Sequence, residues 1–248
     1  MLTHLSAEVW LAGVDGCPAG WVVAFVRSTG SEVHVRVAPR LAHIVAAPEQ
    51  PVIVAVDIPI GLPECSGYGG RAAENAVRAL LGARQSSVFS VPSRAAIYAD
   101  DYREACRIAA ATSLPPRKVS RQLFMIAPKI REVDGLLRAQ PELAARVYEC
   151  HPEVAFWRLN GEQALSEPKR IKGQAHGAGI ALRRALLIRA GLAAAAVEAA
   201  PPAGAKTDDL VDALACAVIA RRLHAGTARS FPDPVERDAC GLPMAIWT

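Results

Sequence analysis

Asp15 and Asp57 each close a short apolar run, residues 9–14 and 51–56. An acid placed where a buried strand leaves the core is stiffly held and half dehydrated, which suits it to hold a divalent cation or a reacting water. Such an Asp can also simply begin a turn. Further acids recur at telling spacings. Asp209 and Asp212 lie three apart in a helical stretch and so share a face, as do Asp208 and Asp212 at four. Glu149 closes a third strand-like run and is followed at once by His151 and Glu153. Acids on a helix face packed beside strand ends are costly to bury unless something neutralises them. Hard oxygen donors, without clustered Cys or paired His, favour Mg²⁺ or Mn²⁺. Two such ions, ~3.5–4 Å apart, would activate a water and stabilise the leaving oxygen in phosphodiester cleavage. Asp15, Asp57 and Asp212 are therefore the expected metal ligands, with Asp209 as a ligand or a supporting acid. Lys129, Lys169, Arg170 and His151 are the candidates for holding a substrate backbone. The competing reading leaves the helical acids solvated at the positive end of the helix dipole and the basic residues as solvated faces.

The elements that must position these groups can be laid out in order. Residues 9–15 and 21–27 read as buried strands, and 32–37 alternates polar with apolar residues as a half-solvated edge strand would. The turns between them are short, so the three should form an antiparallel meander. A short helix is expected over 39–47, followed by the second apolar strand, 51–57. Buried on both faces and reached by a helical crossover, that strand should run parallel to the first. Residues 61–140 read as a mostly helical insertion, with helices over 71–81, 101–111 and 120–138 and a polar loop over 85–94. A strand over 145–150 resumes the sheet. Residues 168–179 are basic, 180–190 form a helix, and 193–204 form a helix end and flexible loop. A strong helix spans 207–224, with Thr207 as its N-cap and alanines that would let it approach a sheet closely. The tail from 230 to 248 reads as loop. The expected class is α/β, a mixed five-stranded sheet flanked by helices, in one domain covering 1–248.

The totals set bounds on this picture. In 248 residues, hydrophobic types make up 52% and charged types 21%, ample for a large core. Aromatics, at 5%, are too few for an evident surface of stacking platforms, and the +4 net charge is spread out, permitting a polyanionic partner without demanding one. Six scattered cysteines show neither a zinc pattern nor a disulfide framework. The first eight residues lack a secretory leader's pattern and no run reaches the ~20 apolar residues of a membrane span, so a cytoplasmic location is expected, with no membrane partner.

Six motifs together carry a resemblance that runs nearly end to end. They are Gly13-Val14-Asp15-Gly16-Cys17-Pro18-Ala19-Gly20-Trp21; Asp57-Ile58-Pro59-Ile60-Gly61-Leu62; Ser86-Ser87-Val88-Phe89 with Pro92 and Arg94; Gln122 with Lys129-Ile130-Arg131-Glu132-Val133-Asp134; Tyr148-Glu149-Cys150-His151-Pro152-Glu153; and Asp208-Asp209-Leu210-Val211-Asp212-Ala213. The chain resembles the DUF429 family of predicted ribonuclease H-like nucleases, departing from its pattern at Glu74, where Asp is expected. The resemblance implies the ribonuclease H-like fold, in which acids of the first strand, the fourth strand and the last helix bind metals. By position these are Asp15, Asp57 and the pair Asp209 and Asp212, and Glu149 on the fifth strand joins the catalytic set more loosely. It implies a metal-dependent nuclease whose partner is DNA or RNA, the two left open, with a homodimer possible. Actin-like ATPases and sugar kinases also place Asp-Gly after a first strand, but they need a second similar domain, and this chain has one copy. A non-catalytic nucleic-acid-binding or regulatory protein on the same fold is the alternative from another class.

Overall fold

The computed structural model of the protein describes residues 8–248. Residues 1–7, which the leader reading rests on, lie outside the described residues. Three strands open the fold: β1 (Trp10–Cys17), β2 (Gly20–Arg27) and β3 (Val33–Ala38). A short helix, α1 (Leu41–Val45), crosses to β4 (Ile53–Val56). Four helices follow: α2 (Ala72–Leu81), α3 (Arg94–Ile97), α4 (Tyr102–Ala111) and α5 (Arg121–Ala139). Then come β5 (Val147–Glu149), α6 (Pro152–Leu159), a small hairpin of β6 (Arg170–Ile171) and β7 (Gln174–Ala175), α7 (Gly177–Arg189), α8 (Ala194–Glu198) and α9 (Thr207–His224). A closing hairpin pairs β8 (Ser230–Arg237) with β9 (Pro243–Trp247).

The main sheet has the order β3-β2-β1-β4-β5. β1 pairs antiparallel with β2, and β2 with β3; β4 runs parallel to β1 and to β5. This is the mixed α/β sheet of the ribonuclease H-like reading. β3 is its edge, as the alternation of residues 32–37 implies, and the two apolar runs, β1 and β4, lie at its centre.

Strand parity divides the core in two. Ala12, Val14, Val54, Val56 and Val147 face α5 and its neighbours through Leu41, Ile97, Leu123 and Ile130. Leu11, Ala55 and Ala24 face α9, α7 and α6 through Leu210, Leu214, Leu187 and Phe156. The second layer is unusually tight because of one glycine. A Cβ on Gly13 would stand 2.0 Å from the Ala217 nitrogen and 2.2 Å from the Ala213 oxygen, so the backbones of β1 and α9 nearly touch. The alanine stripe of α9 makes that approach possible, and every residue from Leu210 to Ala220 is buried.

Several local expectations are corrected. Lys206, not Thr207, is the N-cap of α9, and Asp209 reaches back to accept its backbone N–H at 2.8 Å. The tail is a hairpin rather than loop; Pro232 and Pro234 mask the strand pattern, and such prolines are tolerated where a strand has no neighbour on one side. α6 follows β5 without a loop, with Pro152 at its first turn, where the missing N–H costs nothing. The 85–94 stretch includes a 3₁₀ turn, Gly82–Ser87, and Arg94 opens α3. Residues 170–175 pair as a hairpin that charge alone did not reveal. Among the described residues, no helix is long and apolar enough to cross a membrane.

Candidate metal centre

The register of the sheet brings the first two acids together. Val14 pairs with Val56, and the Asp57 N–H donates to the Val14 carbonyl at 2.9 Å, so Asp15 and Asp57 are the next pair along. Asp15 lies two residues beyond Gly13 and therefore on the same face, the one α9 covers. Because Gly13 abuts Ala213 and Ala217, Asp212 on the first turns of α9 is carried to that point. Oxygens of Asp15, Asp57 and Asp212 all lie within 4.8 Å of one another. A side-chain-free residue two positions before the acid thus sets the distance between acid and helix.

Three carboxylates this close, in so little water, resist sharing full charge. Burial raises the Asp15 carboxyl well above its usual range, and the neighbouring Asp57 and Asp212 push it the same way. Burial lifts Asp57 to about 6, against the pull of Lys169 and with the help of Glu153. Asp212 also rises to about 6, through burial first, with Lys169 opposing and Asp57 reinforcing. The Lys169 ammonium contacts Asp212 Oδ2 directly. Burial disfavours its charge, but Asp212, Asp15 and Asp57 hold it protonated far above neutrality. Among the described residues, the other oxygen, Asp212 Oδ1, is buried with no partner. An orphaned buried carboxylate oxygen beside two more carboxylates is a demand for positive charge that one ammonium does not fill. The cluster is all hard oxygen and could hold a metal ion.

Other expected site residues fall differently. Glu149 pairs in register with Val56, so it points to the opposite face from the three aspartates. It is not a member of their cluster. Its carboxylate meets Arg71 at 2.6 Å, and Arg71 also holds Glu74 at 2.6 Å and the carbonyls of Ile60 and Gly61 at 2.5 and 3.0 Å. Glu149 also accepts the Ile60 N–H at 2.7 Å. This buried brace fixes the loop that follows Asp57, so Glu149 and Glu74 position that strand end rather than join the three. Burial still leaves the Glu149 carboxyl raised to about 7, with Arg71 opposing. Asp209 lies outside the cluster, half-buried and engaged in capping α9.

Asp15 and Asp57 line a cleft of about 670 Å³ outside the carboxyl ends of β1, β4 and β5, and Asp212 stands beside them. Lys129, Lys169, Arg170 and His151 all line it. Lys129 lies across Gly16, stacks its ammonium 4.4 Å above the Trp21 ring and donates to the Gly20 carbonyl, tying α5 to the β1–β2 turn. Arg170 pairs with Asp208 at 2.5 Å. His151 places Nε2 3.3 Å from the Ser87 carbonyl and leaves Nδ1 buried without a partner among the described residues. Burial keeps its charged form disfavoured. With Nε2–H donating to Ser87, the tautomer this bond assigns, Nδ1 carries a lone pair.

Two further acids of the region were not singled out as ligands in the sequence. Glu153 gives one oxygen to the fully buried Arg183 at 2.6 Å and keeps the other without a partner among the described residues. Glu74 is explained by the Arg71 brace. Gln122, Met125, Ile126 and Lys129, at helical spacing on α5, all line the cleft.

A family model described as protein of unknown function (DUF429) matches residues 13–237. No curated protein and no solved structure matches the chain.

Proposed function

The chain belongs to the DUF429 family, and from that membership and the three converging acids we propose that it is a divalent-cation-dependent phosphodiesterase acting on nucleic acid. The observation that carries the reading is the set of Asp15, Asp57 and Asp212 oxygens within 4.8 Å of one another, with Asp15 and Asp57 lining a cleft. These three residues would hold Mg²⁺ or Mn²⁺, with Asp212 Oδ1 the donor in most need of a partner. The cation supplies Lewis acidity that polarises a phosphate ester and a nearby water. The protein's own groups do the rest. Lys169 brings a fixed positive charge to the cleft, where an anionic phosphate must enter against three carboxylates. Lys129 and Arg170, which also line the cleft, favour a polyanion by charge. His151 lines the cleft and carries a lone pair on its buried Nδ1. The Arg71 brace and the Gly13 contact keep Asp57 and Asp212 aimed at one point, so little reorganisation is needed when charge develops.

A second reading rests on Lys169. Its contact with Asp212 partly neutralises the acids internally, as a binding protein that keeps the fold without catalysis would require. A cleavage panel decides between the two: single-stranded, duplex and branched DNA and RNA, with Mg²⁺ or Mn²⁺, for the native protein and Asp15→Asn. Loss of a metal-dependent activity in the variant supports the nuclease. Equal cleavage by both proteins removes Asp15 from the chemistry, and binding without metal-dependent cleavage by the native protein favours the second reading.

A further inference from the structure

Beside its charged groups, the cleft has an apolar part to its lining. On one wall, Met125 and Ile126 rise from α5, with Gln122 a turn earlier. Val88 and Phe89, from the segment that follows the 3₁₀ turn, line the same cleft. Met125 is 79% exposed, although the residues on either side of its stripe, Leu123 and Ala127, are core. Phe89 packs its ring on the core's edge while remaining open to the cleft.

Such walls are poor partners for a sugar-phosphate backbone, which wants cations and N–H donors. A polarizable thioether and a phenyl ring suit a flat heteroaromatic instead. The Gln122 amide, with both a donor and an acceptor, can meet a base edge. A cleft of about 670 Å³ is the size that encloses one or two nucleotides rather than a double helix. Asp15, Asp57 and Lys169 line the same cleft, so a base seated against Phe89 and Met125 would bring its own phosphate toward them.

On the strength of the nucleic-acid reading above, we propose that the apolar wall formed by Phe89, Met125 and Ile126 is a nucleobase pocket, and that the substrate presents an unpaired nucleotide to the acids. A duplex can enter only by giving up a pair, since a stacked and paired base shows the protein no face. The charged groups would read phosphate and the wall would read base, as two separable contributions.

The test is equilibrium binding of fluorescently labelled eight-nucleotide strands, in Ca²⁺, with a gel confirming that the strands stay intact. Three probes are compared: a base-bearing single strand, an abasic strand of the same length and charge, and the base-bearing strand in a duplex. The native protein is expected to bind the base-bearing strand about tenfold more tightly than the other two. Met125→Ala and Phe89→Ala should each erase most of that preference while leaving abasic binding in place. Met125 is exposed, so its variant probes the wall without disturbing the core. Equal affinity for base-bearing and abasic strands overturns the pocket while leaving the nucleic-acid reading intact, as would variants that weaken both equally. Failure of every strand to bind overturns both.

Discussion

Replacing Asp57 by Asn should make the cation-free protein more stable at alkaline pH, although it removes a residue of the site. The Asp57 carboxyl ordinarily titrates near 3.8 and is raised to about 6 in the folded chain, chiefly by burial. A group that holds its proton more tightly when folded favours the folded state fully below pH 3.8, and that contribution is lost as pH climbs through about 6. Above that, the folded protein bears a charge it resists. The gap of about 2 in pKa is worth about 3 kcal/mol. Asn removes the charge, and with it one of the neighbours that raises Asp15. Lys169 loses one attractive partner in exchange. The net gain is expected to be about 1–3 kcal/mol at pH 8 and close to zero at pH 4. Urea denaturation in EDTA at both pH values measures it. A loss of stability at pH 8, or the same gain at pH 4, would refute the crowded-carboxylate account of this site.

Gly13→Ala places a methyl 2.0 Å from the Ala217 backbone nitrogen, where no side chain can move aside. Denaturation should show a loss of about 3 kcal/mol or more. Arg71→Met leaves Glu74 and Glu149 buried without a cation; chemical denaturation should show a loss of about 3–5 kcal/mol, larger at pH 8 than at pH 6, since Glu149 titrates at about 7 even with Arg71 present. Lys169→Met removes the ammonium that pulls Asp57 and Asp212 down, so their protons leave at higher pH. Melting curves with and without Mn²⁺ from pH 5.5 to 8.5 should show cation-dependent stabilisation beginning at higher pH in the variant, and an unchanged onset would remove Lys169 from the electrostatics of the site.

Much of the centre of this molecule was legible because it follows from local pattern. Two apolar runs ending in Asp imply adjacent parallel strands, and their register makes neighbours of Asp15 and Asp57. The alanines of α9 announced a close helix–sheet contact, and Gly13 received it. Spacing could not reveal which face of the sheet each acid occupies across strands. Glu149 closes its strand as Asp57 does, but its register against Val56 turns it to the other side, onto Arg71. Asp209 shares a helix face with Asp212 in principle, and an N-cap with an unpaired N–H claimed it instead. The pairing of Lys169 with Asp212 spans 43 residues and a small hairpin, a distance no local rule reaches. In the tail, prolines that usually break strands sit in a hairpin, and α6 begins on a proline directly after β5.

The central claim is that Asp15, Asp57 and Asp212 together hold a divalent cation. Titration calorimetry of Mn²⁺ into the native protein, Asp15→Asn and Asp57→Asn at pH 7.5 tests it most directly. Saturable binding to the native protein, weakened at least tenfold in each variant while both remain folded by circular dichroism, is the expected result. No binding to the native protein, or binding that both variants retain undiminished, would contradict it.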